Sequence, residues 1–545
     1  MKKTANSEPL RLTRRQLLSL MGLGSLCCGS LHPISLLARN LVDGLIADAQ
    51  AQSGFQTKKY VSILYPGAPI RWVWDGFLNP GNETIVPNAA VQNWLVQNTY
   101  NPADPTNTTY RAELVTLPNN SSIYLAPLWN RNIPVSTGGS VQMKSLLNNT
   151  LIMRGVDVQA DAGHVLGPAR TIYPLGASAS LTGLVADAHP ETPLPAVGFL
   201  GNHNYMDPFF QGYRSLRGIS PTLVNSSNNA LENTLSPFIV SDAGTLANLT
   251  KLNSAPVQAA ISNAMTELGN YAKSSMPGSD VLYQNYDSAR NLFQTSFGDL
   301  RNVVYPALYN KYQNLAALCA HTAIPNILPN SGASGSGYDL ASNNFFSEIA
   351  WQFAVAEYLL VNGLSSSISI CSGGAAGVAG LGNFNDEHTE GNRQKSLICH
   401  SYQFLLLSAM LYEFRRVLIA NNLWNDTVVH ITSEYGRSPQ NTGGGSDHAP
   451  AAGVVTIMSG AITRPTFIGN IKYDSQPGGL YQGTNGDAAP VQTQSGTRII
   501  TNNIAASTVA SILGVQNPLT QSSSIVAVDP SGIGVTSLAE APRNI

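Results

Sequence analysis

"RQKSLICHSYQFLLLSAMLYEFRRVLIANNLWNDTVVHIT", residues 393–432, decides the fold. Its first part, 393–421, carries apolar residues nearly all the way round at helical spacing, which predicts a long, deeply buried helix. Its last part, "DTVVHIT" at 426–432, is a short β-branched run and predicts a strand. Working outward, "SSISIC" (366–371) precedes this pair and "GVVTIMSG" (453–460) follows it, both read as strands. "IAASTVASILGV" (504–515) reads as another helix. Upstream, "KYVSILY" (59–65), ending at Pro66-Gly67, and "TLIMRGV" (150–156) read as buried strands. Strands without polar alternation, interleaved with helices, predict an α/β fold: a doubly wound, mostly parallel sheet with helices on both faces. Strands 366–371, 426–432 and 453–460 are expected to be neighbours, with helix 393–421 crossing over between the first two. Residues 190–340 change character towards helical spacing and read as a helical insertion or cap on a single domain spanning 52–545.

On this map the charged residues gather where strands end. Asp386, Glu387 and His388 follow strand 366–371, Glu434 follows strand 426–432, and Arg437, Asp447 and His448 lie in the next connection. Open α/β sheets collect their ligands outside the carboxyl ends of the strands. Carboxylate and imidazole groups from three such segments are a donor set for a divalent metal, with zinc, manganese, calcium or magnesium left open. Each cluster also has a bland reading: Arg437 and Glu434 as an ion pair, His448 as a turn residue, Gly443-Gly444-Gly445 as a flexible loop.

Composition narrows the setting. Of 545 residues, 43% are hydrophobic and only 11% charged, against roughly 25% charged in a typical soluble protein. The net charge is −2 and no basic run occurs, which argues against nucleic acid as a partner. The N-terminal "RLTRRQLLSLMGLGSLCCGSLHPISLLA" sets Arg14 and Arg15 before a weakly apolar, glycine-containing segment, with small-residue cleavage sites after Ala49 or Ala51. Residues 1–51 thus resemble a twin-arginine signal peptide, which predicts export of the folded chain by the twin-arginine (Tat) translocase to the periplasm or beyond. Read as a membrane anchor instead, the segment is broken by His32, Pro33 and glycines, so the mature protein is not expected to span a membrane. Three cysteines follow the signal, Cys319, Cys371 and Cys399, with no metal-site spacing, and read as small buried hydrophobes.

"HITSEYGRSPQNTGGGSDHAPAAGVVTIMSGAI" resembles the signature of the family called domain of unknown function 1501. Ser433, Glu434, Tyr435, Gly436, Arg437 and Ser438 match a first block, and Gly445, Ser446, Asp447 and His448 a second, with serine where the family has arginine. "FNDEH" resembles a further block carrying Asp386 and His388, and "LLNNTLIMRGVDVQADAGH" one carrying Arg154 and His164. The family is placed in the alkaline-phosphatase and sulfatase-like superfamily. That resemblance implies Asp386, His388, Glu434, Asp447 and His448 as metal ligands, with Asp75, Arg154, His164 and Arg437 as weaker candidates at the same edge. It also implies hydrolysis of a phosphate or sulfate ester on a small molecule or polysaccharide. One departure matters: in "PGAPIRWVWDGF", Ile70 stands where a serine is expected, so no nucleophile and no catalytic residue is assigned. A second reading follows from that gap, a non-catalytic exported binding or cell-surface protein on a degenerate phosphatase-like fold. An oxidoreductase is prompted only by the export signal, and no G-x-G-x-x-G follows a strand.

Overall fold

A computed structural model describes residues 57–65, 74, 113–117, 122–125, 127–158, 163–200 except 191 and 193, 212–225, 263, 305–323, 344–371, 393–439, 446–449, 453–471, 488–489, 491–493, 496–528 and 535–538. All of these belong to one compact unit, Thr57–Ile545, and the predicted signal peptide lies outside the described residues.

A nine-stranded sheet organises the unit. In chain order its strands are β1 (Lys59–Leu64), β2 (Thr150–Val156), β3 (Ala196–Leu200), β4 (Thr222–Asn225), β5 (Ser367–Cys371), β6 (Thr427–Thr432), β7 (Gly453–Met458), β8 (Thr466–Ile471) and β9 (Ala488–Ala489). Across the sheet they run β9-β8-β2-β7-β6-β1-β5-β3-β4. Seven strands share one direction; β7 and β9 run against them.

Helices cover both faces. On one lie α3 (Tyr305–Ala323), α4 (Asn344–Val361) and α5 (Arg393–Ala420), packed with Val61, Ile63, Ile368, Ile370, Val429 and Ile431 of the central strands. On the other lie α2 (Leu181–Ala188) and α6 (Asn502–Leu513), packed with Tyr60, Met153, Val428, Val455 and Ile457. Helix α1 (Gly163–Ile172) rests against α6. The alternation is the pleat at work: successive residues of β1 and β6 feed opposite cores, so both must be apolar. This is why β1, β5 and β6 are buried along almost their whole length, with Ser62, Ser369 and His430 among their polar members. Helix ends are set locally. The Ser180 side chain accepts from Gly183 N–H to start α2, Thr501 does the same for Ile504 at α6, and Gly514 ends α6 in the left-handed region at φ 73°.

Strand pairing differs from the sequence expectation in two places. Strands β5 and β6 are not neighbours: β1 lies between them, paired in parallel with both, so the connection through α5 steps over one strand. Strand β7 is β6's neighbour but antiparallel, Val429 facing Met458 and Ile431 facing Thr456. Burial on both faces makes parallel and antiparallel strands look alike in sequence, so direction was not legible.

The segment 190–340 also differs. It opens with β3 and β4, which extend the main sheet, and its described C-terminal part is α3, which packs on α4 and α5. Both described ends belong to the same compact unit as the main sheet. Nearly all of 226–304 lies outside the described residues.

The α3–α4–α5 layer contains an ionic cluster. Lys311 Nζ donates to Glu357 at 2.7 and 2.5 Å and lies 3.6 Å from Glu413, while Tyr312 Oη donates to Glu357 at 2.6 Å. Arg416 donates to both oxygens of Glu413, at 3.1 and 2.8 Å. Burial alone would raise the Glu413 carboxyl pKa; Arg416, Ser136 and Lys311 outweigh it and hold the group below its usual range. Among the described residues no helix is long and apolar enough to cross a membrane. Cys319 and Cys371 are free and buried, and burial pushes the Cys319 thiol up to about 12, which leaves it inert as a nucleophile.

Candidate functional site at the carboxyl edge of the sheet

Strand β6 delivers the first candidate ligand. Its last residue, Thr432, pairs with Leu64 of β1, and the chain continues through Ser433, Glu434 and Tyr435, all buried. Glu434 is 1% exposed and accepts a hydrogen bond from Ser433 Oγ at 3.0 Å. Holding a carboxylate away from water costs several kcal/mol unless charged or polar partners surround it, on the order of the penalties measured for buried ions.

Beyond Glu434 two short strands are described, and Gly443-Gly444-Gly445 between them lie outside the described residues. Gly436–Pro439 and Ser446–Ala449 pair as an antiparallel ribbon, with Arg437 opposite His448 and Ser438 opposite Asp447. The ribbon then feeds β7, which runs back beside β6. The antiparallel return keeps Asp447 and His448 at the edge where β6 ends.

Strand β2 reaches the same edge from the other side of β7. Gly453 pairs with Val156 and Val454 with Arg154, so Gly155 is an extra residue, a bulge with φ 64° in the left-handed region. Such bulges twist a strand and re-aim the residue beside them. Here that residue is Arg154, 1% exposed, its guanidinium 5.2 Å from the centroid of the Phe467 ring. On β8, Gly469 sits opposite Arg154 at φ 85°, and a Cβ there would come within 2.1 Å of the Arg154 carbonyl oxygen. The close backbone approach around Arg154 thus depends on glycine.

An aromatic cluster fixes the chain that leaves β1. Tyr65 stacks on Phe404 of α5 with centroids 4.8 Å apart and donates its hydroxyl to Gln403 Oε1 at 2.5 Å. Trp74 stacks on the same Phe404 at 4.6 Å, donates its indole N–H to Thr456 Oγ1 at 2.9 Å, and receives Trp129 Nε1–H on its own carbonyl at 2.6 Å. Stacked aromatic pairs add about 0.5–1.5 kcal/mol each beyond their burial.

The nine candidate residues divide as follows. Glu434 and Arg154 are buried at or beside the carboxyl ends of β6 and β2. Arg437, Asp447 and His448 are ribbon residues, and His164 is the second residue of α1, which follows β2. Asp75 adjoins Trp74 but lies outside the described residues, as do Asp386 and His388 between β5 and α5. No group of three or more His, Cys, Asp or Glu suited to a metal occurs among the described residues.

Two further features escaped the sequence reading. His430, inside the apolar "TVVHIT", is 2% exposed, and its Nδ1 lies 2.7 Å from Tyr60 Oη. Burial lowers its pKa to about 3, so it stays neutral. Asp187, at the end of α2, accepts from Ser215 Oγ and from the backbone N–H of Leu216 at 2.7 Å and Arg217 at 3.3 Å, pinning the chain that enters β4. Asp187 closes a helix that runs back to the amino edge, so its task is structural.

Among solved structures, a lipoteichoic acid synthase from Listeria monocytogenes is similar at 9% identity over 87% of this chain and 79% of that one, with a TM-score of 0.28. A PsFucS1 sulfatase from Pseudoalteromonas sp. is similar at 9% identity over 81% of this chain and 69% of that one, with a TM-score of 0.23. Superpositions this loose carry no weight for fold or chemistry. No curated protein matches the chain. Residues 385–476, which contain α5, β6, the ribbon and β7, match the model of the family described as Protein of unknown function (DUF1501).

Proposed function

We propose that the protein is an exported, metal-dependent hydrolase of phosphate or sulfate esters. The observation that carries this reading is Glu434, a carboxylate buried at the carboxyl end of β6, followed at once by a ribbon that brings Asp447 and His448 back to that end. The donor set fits a divalent metal by its chemistry: Glu434 and Asp447 offer hard oxygen ligands and His448 a neutral nitrogen. Asp386 and His388, carried by the connection from β5, complete the proposed set, with Asp75, His164 and Arg437 in supporting places. When bound, the metal would polarise an ester oxygen and acidify a water. Arg154, a fixed cation beside the ribbon's return, is suited to the anionic part of an ester. With Ile70 in place of a serine, a covalent nucleophile is not assigned.

Export rests on the Arg14-Arg15 pair and places the protein in the periplasm or outside the cell. Replacing both by lysine should leave the precursor in the cytoplasm.

Metal analysis of the purified mature protein, followed by a panel of phosphate and sulfate esters on small molecules and polysaccharides, tests the enzymatic reading. Bound divalent metal with ester cleavage supports it, and a metal-free, inactive protein defeats it. The second reading, a non-catalytic binding or cell-surface protein, is favoured by Ile70 and predicts bound metal without turnover.

A further inference from the structure

A polar seam crosses the middle of the sheet beneath α2 and α6. Ser62 of β1 faces Ser369 of β5 on one side and His430 of β6 on the other, in strict register. The two serine hydroxyls are 2.8 Å apart, and all three side chains are at most 3% exposed. Helix α2 covers β1 and β5, and α6 covers β6 with the small residues Ala505, Ala506 and Ala510.

The hydrogen bonds of this seam do not close among themselves. Tyr60 Oη and His430 Nδ1 share one bond at 2.7 Å, while His430 Nε2 has no protein partner. The tautomer follows from counting donors. If Tyr60 O–H donates to Nδ1, its proton and that nitrogen are both satisfied, and a single Nε2–H is left over. If Nδ1–H donated instead, the Tyr60 proton and the Nε2 lone pair would both be stranded. The first arrangement strands one group and the second two, and stranding a buried polar group is costly. Nε2 therefore carries the proton and needs an acceptor. The serine pair has the matching surplus: one hydroxyl donates to the other, and the second proton has no place inside the pair.

We propose that the seam between α2, α6 and the sheet is a binding site for an ordered internal water that accepts from His430 Nε2–H and from the Ser62–Ser369 pair. Internal waters sit where several buried polar groups converge and make two to four hydrogen bonds. The water makes the seam a hydrogen-bonded strut across three adjacent strands, and it explains how a lone histidine is tolerated in an apolar run.

A crystal structure of the mature protein at a resolution that places internal waters tests this. The expected result is a water oxygen at about 3 Å from Nε2 and from one serine hydroxyl. A dry seam, or Nε2 bonded directly to a protein acceptor, overturns the proposal. The Ser62→Ala variant, whose small change keeps the strand intact, separates the two partners. Loss or displacement of the water supports a shared site, and an unmoved water overturns the serines' part in it.

Discussion

Trp74 Nε1 donates to Thr456 Oγ1 across 382 residues of sequence, at 2.9 Å, and so ties the chain leaving β1 to the middle of β7. The bond matters because Asp75, a proposed site residue, is the next residue along. Replacing Thr456 by valine keeps the shape and removes the acceptor, stranding a buried indole N–H at a cost of about 1–3 kcal/mol. Urea denaturation should show that loss. A variant as stable as the wild type would mean that Trp74 is held by stacking on Phe404 alone.

Acid should destabilise the protein through His430. The folded-state pKa is about 3 and the unfolded value about 6.5, so between those limits the unfolded chain binds the extra proton. Stability is complete above pH 6.5 and falls as the pH drops, by at most ~1.4 kcal/mol per pH unit from this one group. His430→Gln removes that slope, whatever it does to stability at pH 8. Denaturation midpoints from pH 4 to 8 for both proteins check it; parallel curves would exclude His430 as the source.

The Glu413 cluster should act in the same direction. Arg416, Ser136 and Lys311 overcome the effect of burial and depress its pKa, so its contribution is present above the unfolded pKa and disappears as the pH falls through the lower, folded one. Glu413→Ala leaves Lys311 and Arg416 without that carboxylate inside a helical layer. Breaking buried pairs in this way costs about 3–5 kcal/mol, reduced here because Arg416 is partly exposed. The expected outcome is a clear drop in melting temperature; a change within 1 °C would show the cluster to be energetically idle.

At the proposed metal centre, His448→Ala and Glu434→Gln should each lower the metal bound per chain, while retaining the circular-dichroism spectrum of the wild type. Loss of a ligand typically removes far more affinity than loss of a supporting contact, which costs about 10–100-fold. Arg437→Ala, as a supporting change, should therefore retain more metal than either. Equal metal content in all three variants would move the centre elsewhere.

How much of this was legible in the sequence differs by element. β1, β2, β5, β6, α5 and α6 were found within two residues of their ends, because burial on both faces writes a continuous apolar run. β3 and β4, five and four residues long, fell below any periodic signal and were absorbed into a helical reading of 190–340. Order and direction across the sheet were illegible, since nothing within β5 or β6 records that β1 comes between them. Strands 436–439 and 446–449 gave no strand signal because pairing among polar residues leaves no alternating apolar pattern. Glu434 stood out as a charge in a charge-poor chain and Arg154 through the family resemblance, and both are buried at strand ends. The tautomer of His430 and the Lys311–Glu413 approach depend on partners hundreds or scores of residues away, so local reading missed them.

The reversal of β7 has an architectural consequence. A chain that leaves and re-enters a sheet on the same side closes an excursion whose length is independent of strand order. Residues 433–452 form such an excursion, anchored by β6 and β7 as neighbours. Homologous chains can thus lengthen, shorten or exchange it without rewiring the sheet, and a transplanted segment need only match two adjacent strand ends.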